Sequence, residues 1–251
     1  RLASSPENIL RNAHEVLKNS TGLTFEAMGE LEYYVFSGRN ELYPVITQRG
    51  YHESAPFSKW EELRCEAMRA IAQGGGQVKY GHSEVGHIIE ESYEMEQHEI
   101  EFLPVPVEDA ADQLVIAVWM LRMIGYKYGV TISFAPKILA GHAGSGLHIH
   151  TRLSKDGRNM MVEGGQLSDM AKKAIAGYLS LAPSLTAFGN TIPTSYLRLV
   201  PHQEAPTNIC WGDRNRSVLV RVPLGWLNIG SMAKDANPQE EEEYLESMSN
   251  Q

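Results

Sequence analysis

Glu30 and Glu32 stand two positions apart in the run Glu26-Ala-Met-Gly-Glu30-Leu-Glu32-Tyr-Tyr-Val-Phe36, whose last four residues are aromatic or β-branched. Such a run reads as a β-strand. Alternation along a strand puts both carboxylates on one face, roughly 6.6 Å apart, with Leu31, Tyr33 and Val35 on the other. Two like charges on a half-buried face call either for water over them or for a hard divalent cation between them. A second run repeats the pattern. In Leu147-His148-Ile-His150-Thr-Arg152, after the turn Gly141-His-Ala-Gly144-Ser-Gly146, the two histidines and Arg152 share a face. Paired imidazoles beside a polar loop suit a metal or a phosphate, and equally a hydrogen-bonded structural role. Arg198, Arg214, Arg216 and Arg221 crowd into a late polar stretch of an otherwise acidic chain. They fit an anion clamp for carboxylate or phosphate, or ion pairing on a surface.

These groups need elements to hold them. Ser5 precedes a helical pattern over Pro6–Leu17. Ser58-Lys-Trp-Glu61 has the form of a capping box opening a helix to Gln73, ended by Gly74-Gly-Gly76. Gln77–Val85 alternates as a strand with Val78, Tyr80, His82 and Glu84 on one face, and Gly86–Gln97 reads as a loop. His98–Pro106 resumes alternation with Glu99 and Glu101 together, Asp109–Lys127 is the strongest helix, and Val130–Ile138 is a strand. Asp156-Gly157 marks a hairpin turn, and Ser168 caps a helix that bends or stops at Pro183. The order of helices and strands is that of an α+β fold.

Composition narrows the function classes. A net charge of −9 with no basic run argues against a nucleic-acid surface. The longest apolar stretch, Leu114–Gly125, is broken by Arg122 and too short to cross a bilayer. Cys65 and Cys210 form no metal-finger spacing and no disulfide framework, which points to a reducing, cytoplasmic setting.

In sequence, Glu30-Leu-Glu32, Ser83-Glu84-Val-Gly86, Gln97-His-Glu99-Ile100, Gly144-Ser-Gly-Leu-His148-Ile-His150, Ser195-Tyr-Leu-Arg198-Leu-Val-Pro201 with Glu204-Ala-Pro206, and Arg214-Asn-Arg216-Ser217 with Arg221-Val-Pro223 resemble the catalytic domain of glutamine synthetase. The resemblance runs from Glu26 to Pro223. It implies a largely antiparallel curved sheet with flanking helices, of the broad type shared with guanidino kinases, over residues 1–238, followed by a flexible acidic tail at 239–251. It also implies an ATP-dependent ligase joining ammonia to glutamate through a γ-glutamyl phosphate, with two Mg²⁺ or Mn²⁺ ions and a homo-oligomeric parent. By that resemblance one metal falls on Glu32, Glu84 and Glu99 and the other on Glu30 and His148. Arg198, Gly144 and His148 lie with the amino-acid substrate, and His150, Arg216 and Arg221 with the nucleotide. Glu204 shields the acyl-phosphate and takes a proton from ammonium, and Arg216 acts on the transferred phosphoryl group.

Departures from the family pattern keep alternatives open. Ala143 replaces an asparagine near the substrate's amino-acid head, which admits an organic amine as acceptor. Arg152 stands where a serine is usual, and the wide gap between Glu84 and Glu99 lets Glu90, Glu91, Glu94 or Glu96 compete as ligands. A Glu-x-Arg segment after Pro223 and the family's amino-terminal domain are missing from the sequence, so it is expected to be an inactive fragment. A catalytically silent relative is the remaining alternative.

Overall fold

The computed structural model describes residues 2–201, 205–213, 215 and 217–223. Two compact units emerge, one of residues 1–17 with 25–151 and one of 18–24 with 152–251.

The chain begins with α1, Pro6–Thr21, and then β1, Thr24–Gly38, a 15-residue strand. α2 spans Glu61–Gln73, β2 Val78–Ile89, β3 Tyr93–Phe102, β4 Val105–Pro106, α3 Val107–Lys127 and β5 Thr131–Ser133. β6, Leu147–Lys155, completes the main strands of the first unit with its residues up to Thr151. β1 is central: the order is β2-β3-β1-β6, and β4 and β5 pair with the two ends of β1. β1 runs antiparallel to β3 with Glu30 opposite Glu101, Glu32 opposite Glu99 and Tyr34 opposite Gln97.

Alternation decides what each face does. Leu31, Tyr33 and Val35 of β1 and Ile100 and Phe102 of β3 point to one face, where Leu63, Ala67 and Ile71 of α2 and Ala117, Leu121 and Ile124 of α3 cover them. Burying each such large apolar side chain stabilises by about 1.5–3 kcal/mol, so this layer holds the sheet. The opposite face carries the carboxylates.

Four local expectations are corrected. Gly86–Gln97 is not a loop, because β2 and β3 continue into a hairpin that turns only at residues 90–92. A shift in pairing between Ser83 and His87 breaks the alternation, and the buried polar residues Glu94 and Glu96 disguise the strand. Val78 does not share a face with Tyr80 and His82, because a second shift after it turns Val78 to the helical core. The capping box does not form: Ser58 Oγ donates instead to Glu96 Oε1 at 2.5 Å, and Trp60 precedes α2 without a side-chain cap. The strand expected over Val130–Ile138 shrinks to β5, since Pro136 supplies no donor to a ladder.

The second unit holds the end of β6 and its hairpin partner β7, Arg158–Asn159, joined by Asp156 and Gly157 at φ 50° and 76°. Two positive φ values are what a tight right-twisted hairpin turn requires, and Asp-Gly supplies them. β8, Val162–Glu163, pairs with β9, Gln166–Leu167. α4, Asp169–Ser180, is capped by Ser168, whose Oγ accepts from Ala171 N at 3.1 Å; α5, Ala182–Gly189, carries Pro183 in its first turn. A 3₁₀ turn at Pro193–Arg198 and the parallel pair β10, Asn208–Asp213, and β11, Val218–Val222, follow. Among the described residues no helix is long and apolar enough to cross a membrane. The acidic tail expected at 239–251 lies outside them.

Candidate metal centre

Four strands of the first unit deliver one polar face. β1 presents Glu30 and Glu32, β3 presents Glu99, β2 presents His82 and Glu84, and β6 presents His148 and His150. One ligand atom from each of Glu30, Glu99 and His148 lies within 4.8 Å of the others, and the same is true of His82, Glu84 and Glu99. Glu99 belongs to both groups. The register explains this: Glu99 pairs with Glu32 on one side and His82 on the other, in the middle of the face.

The charges are partly compensated by imidazoles. His148 Nδ1 lies 2.6 Å from Glu30 Oε2, His150 Nε2 lies 2.7 Å from Glu30 Oε1, and His82 Nε2 lies 3.1 Å from Glu99 Oε2. Burial works against the charge on Glu30, but hydrogen bonds from His148 and His150 outweigh it and hold this carboxyl well below the usual carboxylate range. Glu84 and Glu99 go the other way. Burial raises both; Glu32 adds repulsion at Glu84, and Glu30 and Glu84 add it at Glu99. Burial disfavours charge on His82, yet its bonds to Glu99 and to the Ser83 carbonyl, with the field of Glu84, push it up to about 9. The face thus contains a cation of its own against an excess of carboxylate.

Glu32 is held differently. Its Oε2 accepts from Gly146 N at 2.8 Å and from Gln97 Nε2 at 3.0 Å. Gln97, 1% exposed, also donates to Gly144 O at 3.0 Å and accepts from Gly86 N at 3.0 Å. It therefore ties the Gly144–Gly146 loop to the hairpin. At Gly86 an added Cβ would lie 2.0 Å from Tyr34 Oη and 2.4 Å from Gln97 Oε1, so only glycine allows the close approach. Tyr34 Oη donates to Ala143 O at 2.8 Å, and Ala143 N donates to Gln48 Oε1 at 2.6 Å.

The reverse face of the same hairpin is polar too. Arg64 Nη1 lies 2.7 Å from His98 Nδ1 and donates to Ser83 Oγ at 3.1 Å; His98 Nε2 sits 3.0 Å from Glu96 Oε1. Glu96 Oε2 accepts from Lys59 N at 2.9 Å, and Lys59 Nζ pairs with Glu94 at 2.9 Å. Burial acts against the charge of Glu96, but the field and hydrogen bond of His98 and the Ser58 hydroxyl draw it down to about 2. Burial also lowers His98 and His87 despite the adjacent carboxylates.

Among the competing glutamates, Glu94 and Glu96 are engaged on this reverse face, and Glu90 and Glu91 are exposed at the hairpin turn. The sequence reading did not single out His82 as a ligand or Gln97 as a brace. The spacing of His82 two residues before Glu84 on a strand was the available signal for the former. Arg198 ends the 3₁₀ turn and Arg221 lies on β11, both in the second unit. Glu204, Arg214 and Arg216 lie outside the described residues.

Comparison with known proteins adds a family. The profile described as "Glutamine synthetase, catalytic domain" matches residues 3–237. A glutamine synthetase of Thermus thermophilus is 34% identical over 224 residues, covering 87% of this chain and 48% of that protein. One from Pyrococcus furiosus is 35% identical over 225 residues, covering 89% and 49%. The chain thus spans about half the length of the curated relatives it matches. Its fold is similar to that of a Plasmodium falciparum glutamine synthetase, with a TM-score of 0.80 at 23% identity over 89% of this chain and 49% of the other.

Proposed function

The chain belongs to the glutamine synthetase catalytic-domain family, and from that premise we propose that its carboxylate–histidine face is the cation-binding part of an ATP-dependent ligase site joining ammonia to glutamate. The observation that carries this reading is the pair of ligand groups sharing Glu99. Carboxylate oxygens with one imidazole per group are a donor set suited to Mg²⁺ or Mn²⁺, and the excess negative charge on the face is what such ions neutralise. Glu30, Glu99 and His148 would hold one ion. His82, Glu84 and Glu99, with Glu32 beside them, would hold the other. Bound there, the ions would polarise nucleotide phosphates and offset the charge of the transferred phosphoryl group.

In the proposed reaction a glutamate side-chain oxygen takes the γ-phosphoryl group of ATP, releasing ADP. Ammonia then attacks the acyl carbon, phosphate leaves, and the nitrogen loses a proton. The chain's own residues set up that chemistry. Hydrogen bonds from His148 and His150 keep Glu30 ionised, and Gln97 and the Gly146 N–H fix the orientation of Glu32. Gly144 and His150 keep the substrate and nucleotide roles that their motifs suggest. Arg198, Glu204, Arg216 and Arg221 keep theirs, of substrate carboxylate, flap and phosphoryl group, on their motifs alone. An organic amine as acceptor is the second reading, favoured by Ala143, whose backbone is anchored on both sides while its side chain is only a methyl group.

Counting Mn²⁺ sites tests the reading. Titration followed by the loss of the free-ion electron paramagnetic resonance signal should show two sites per chain, tightened by ATP. Glu99→Gln should weaken both. Absence of saturable Mn²⁺ binding in the wild-type chain, or full retention of both sites in the variant, overturns it.

A further inference from the structure

A cavity of about 480 Å³ opens on the helical side of the first unit, where the end of α2 and Gly74–Gly76 meet Leu103–Val105 and the start of α3. None of the proposed metal-binding residues lines it. Its walls are aliphatic on several sides, through Ile71, Leu103, Val105 and Ile116, and its polar groups are Asp109, Asp112 and Gln113. The volume falls in the range of small-molecule sites, roughly 300–1,000 Å³.

Gln113 is the informative residue. It is only 7% exposed, and its Oε1 accepts from Gln77 N at 3.0 Å. Because a backbone N–H can only donate, the amide oxygen must face it, and the Nε2 group is fixed on the other side. That Nε2 is buried and has no hydrogen-bond partner among the described residues. A buried amide donor left unmatched costs about 1–3 kcal/mol, so a ligand acceptor there would be rewarded. Asp109 and Asp112 are exposed and make no ion pair among the described residues. Asp109 lies in the first turn of α3, where the helix dipole already favours it, but Asp112 lies beyond that turn.

We propose that this cavity binds a small organic ammonium compound carrying a carbonyl oxygen and an aliphatic body, the chemistry of an amino-acid amide. The carbonyl accepts from Gln113 Nε2, the ammonium meets Asp109 and Asp112, and the aliphatic part covers Ile71, Leu103 and Ile116. A bare metal ion fits poorly, since Gln113 turns N–H groups rather than oxygen to the cavity. A free carboxylate is disfavoured beside two aspartates. The site is independent of the ligase reading.

Leucinamide is the probe, titrated into the full chain by calorimetry or by amide chemical shifts, with Mn²⁺ absent and present. Saturable binding is expected in both conditions, with shifts at Gln113 and Gly74–Gly76. N-acetyl-leucinamide, which lacks the ammonium, should bind at least tenfold more weakly, as should leucinamide to Asp109→Asn/Asp112→Asn. Both aspartates are exposed, so that variant should melt as the wild type does. Should it melt lower, the comparison of the two compounds on the wild-type chain decides. Failure of leucinamide to saturate, equal binding of the acetylated compound, or an Asp109/Asp112-dependent site for Mn²⁺ alone overturns the proposal. None of these outcomes bears on the two Mn²⁺ sites of the ligase reading.

Discussion

Replacing Glu99 with Gln should make the metal-free chain more stable and its metal-loaded form less so. In the metal-free protein Glu99 meets burial and the repulsion of Glu30 and Glu84, with His82 as its compensating partner. Glutamine removes the charge and keeps an oxygen to accept from His82. Relief of a shift of about one pKa unit is worth on the order of 1 kcal/mol, or about 2–4 °C for a chain this size. The sign depends on pH. Glu84 and Glu99 are raised above their ordinary values, so their protonated forms favour the folded state below the ordinary carboxylate range, and that contribution is lost as pH rises through the raised value. The gain from Glu99→Gln should therefore be present near about pH 8 and vanish near about pH 4. Mn²⁺ reverses the ranking. At a hundredfold excess over its dissociation constant, one bound ion adds about 2.7 kcal/mol, roughly 5–10 °C. Wild type should show that rise, and the variant, which lacks the shared ligand, almost none. Thermal melts with EDTA and with Mn²⁺ provide the check. Two results would refute the reasoning: an undiminished Mn²⁺ shift in the variant, or a metal-free variant that melts well below wild type at neutral pH.

Gln97→Leu should cost about 3 kcal/mol in denaturant unfolding, because Gly86 N and Gly144 O lose their partner in a site closed to water; a loss under about 1 kcal/mol would show that the loop has another anchor. Gly86→Ala should displace the Tyr34 hydroxyl from Ala143 O, seen as an altered tyrosine absorbance and a lower melting temperature, and an unchanged spectrum would count against the close approach. Glu96→Gln should cost about 3–5 kcal/mol, since it breaks a buried charged network and turns an amide donor toward Ser58 or the Lys59 N–H; a neutral effect in urea melts would contradict the geometry.

The helices and the two chemical strands were legible because their patterns follow one period. α3 has its apolar stripe, β1 alternates cleanly, and the Asp156-Gly157 turn states its own backbone requirement. The β2–β3 hairpin was not, and the reason is physical. Glu94, Glu96 and His87 are buried polar residues facing Lys59, Ser58 and Arg64, partners that lie far away in sequence, and a pairing shift changes the phase between Ser83 and His87. Nothing local distinguishes a buried glutamate on a strand from an exposed one in a loop. The same shift hid which glutamate stands near Glu84, a question of register that spacing alone leaves open. Gln97 was legible only as a motif letter, because its three hydrogen bonds go to a backbone loop, a hairpin glycine and a carboxylate on three different segments.

The two faces of the hairpin depend on each other. A strand that presents Gln97 and Glu99 forward must present His98 and Glu96 backward, so any polar demand at the centre puts neighbouring residues into the layer against α2. An apolar residue at position 98 would pack more easily there. Histidine instead pairs with Arg64 on one nitrogen and lies beside Glu96 on the other, and Arg64 also donates to Ser83, which directly precedes Glu84. The strand carrying Glu84 is thereby joined to the strand carrying Glu99 through side chains as well as through the backbone ladder. Between them the ladder has its pairing shift, the place where backbone hydrogen bonds alone would hold the register least firmly. A one-residue slip would turn Glu84 or Glu99 to the wrong face. The Arg64–His98–Ser83 cluster raises the cost of that slip, because it would leave a guanidinium and an imidazole buried without their partners. The back-face network thus fixes the spacing of the carboxylates in front.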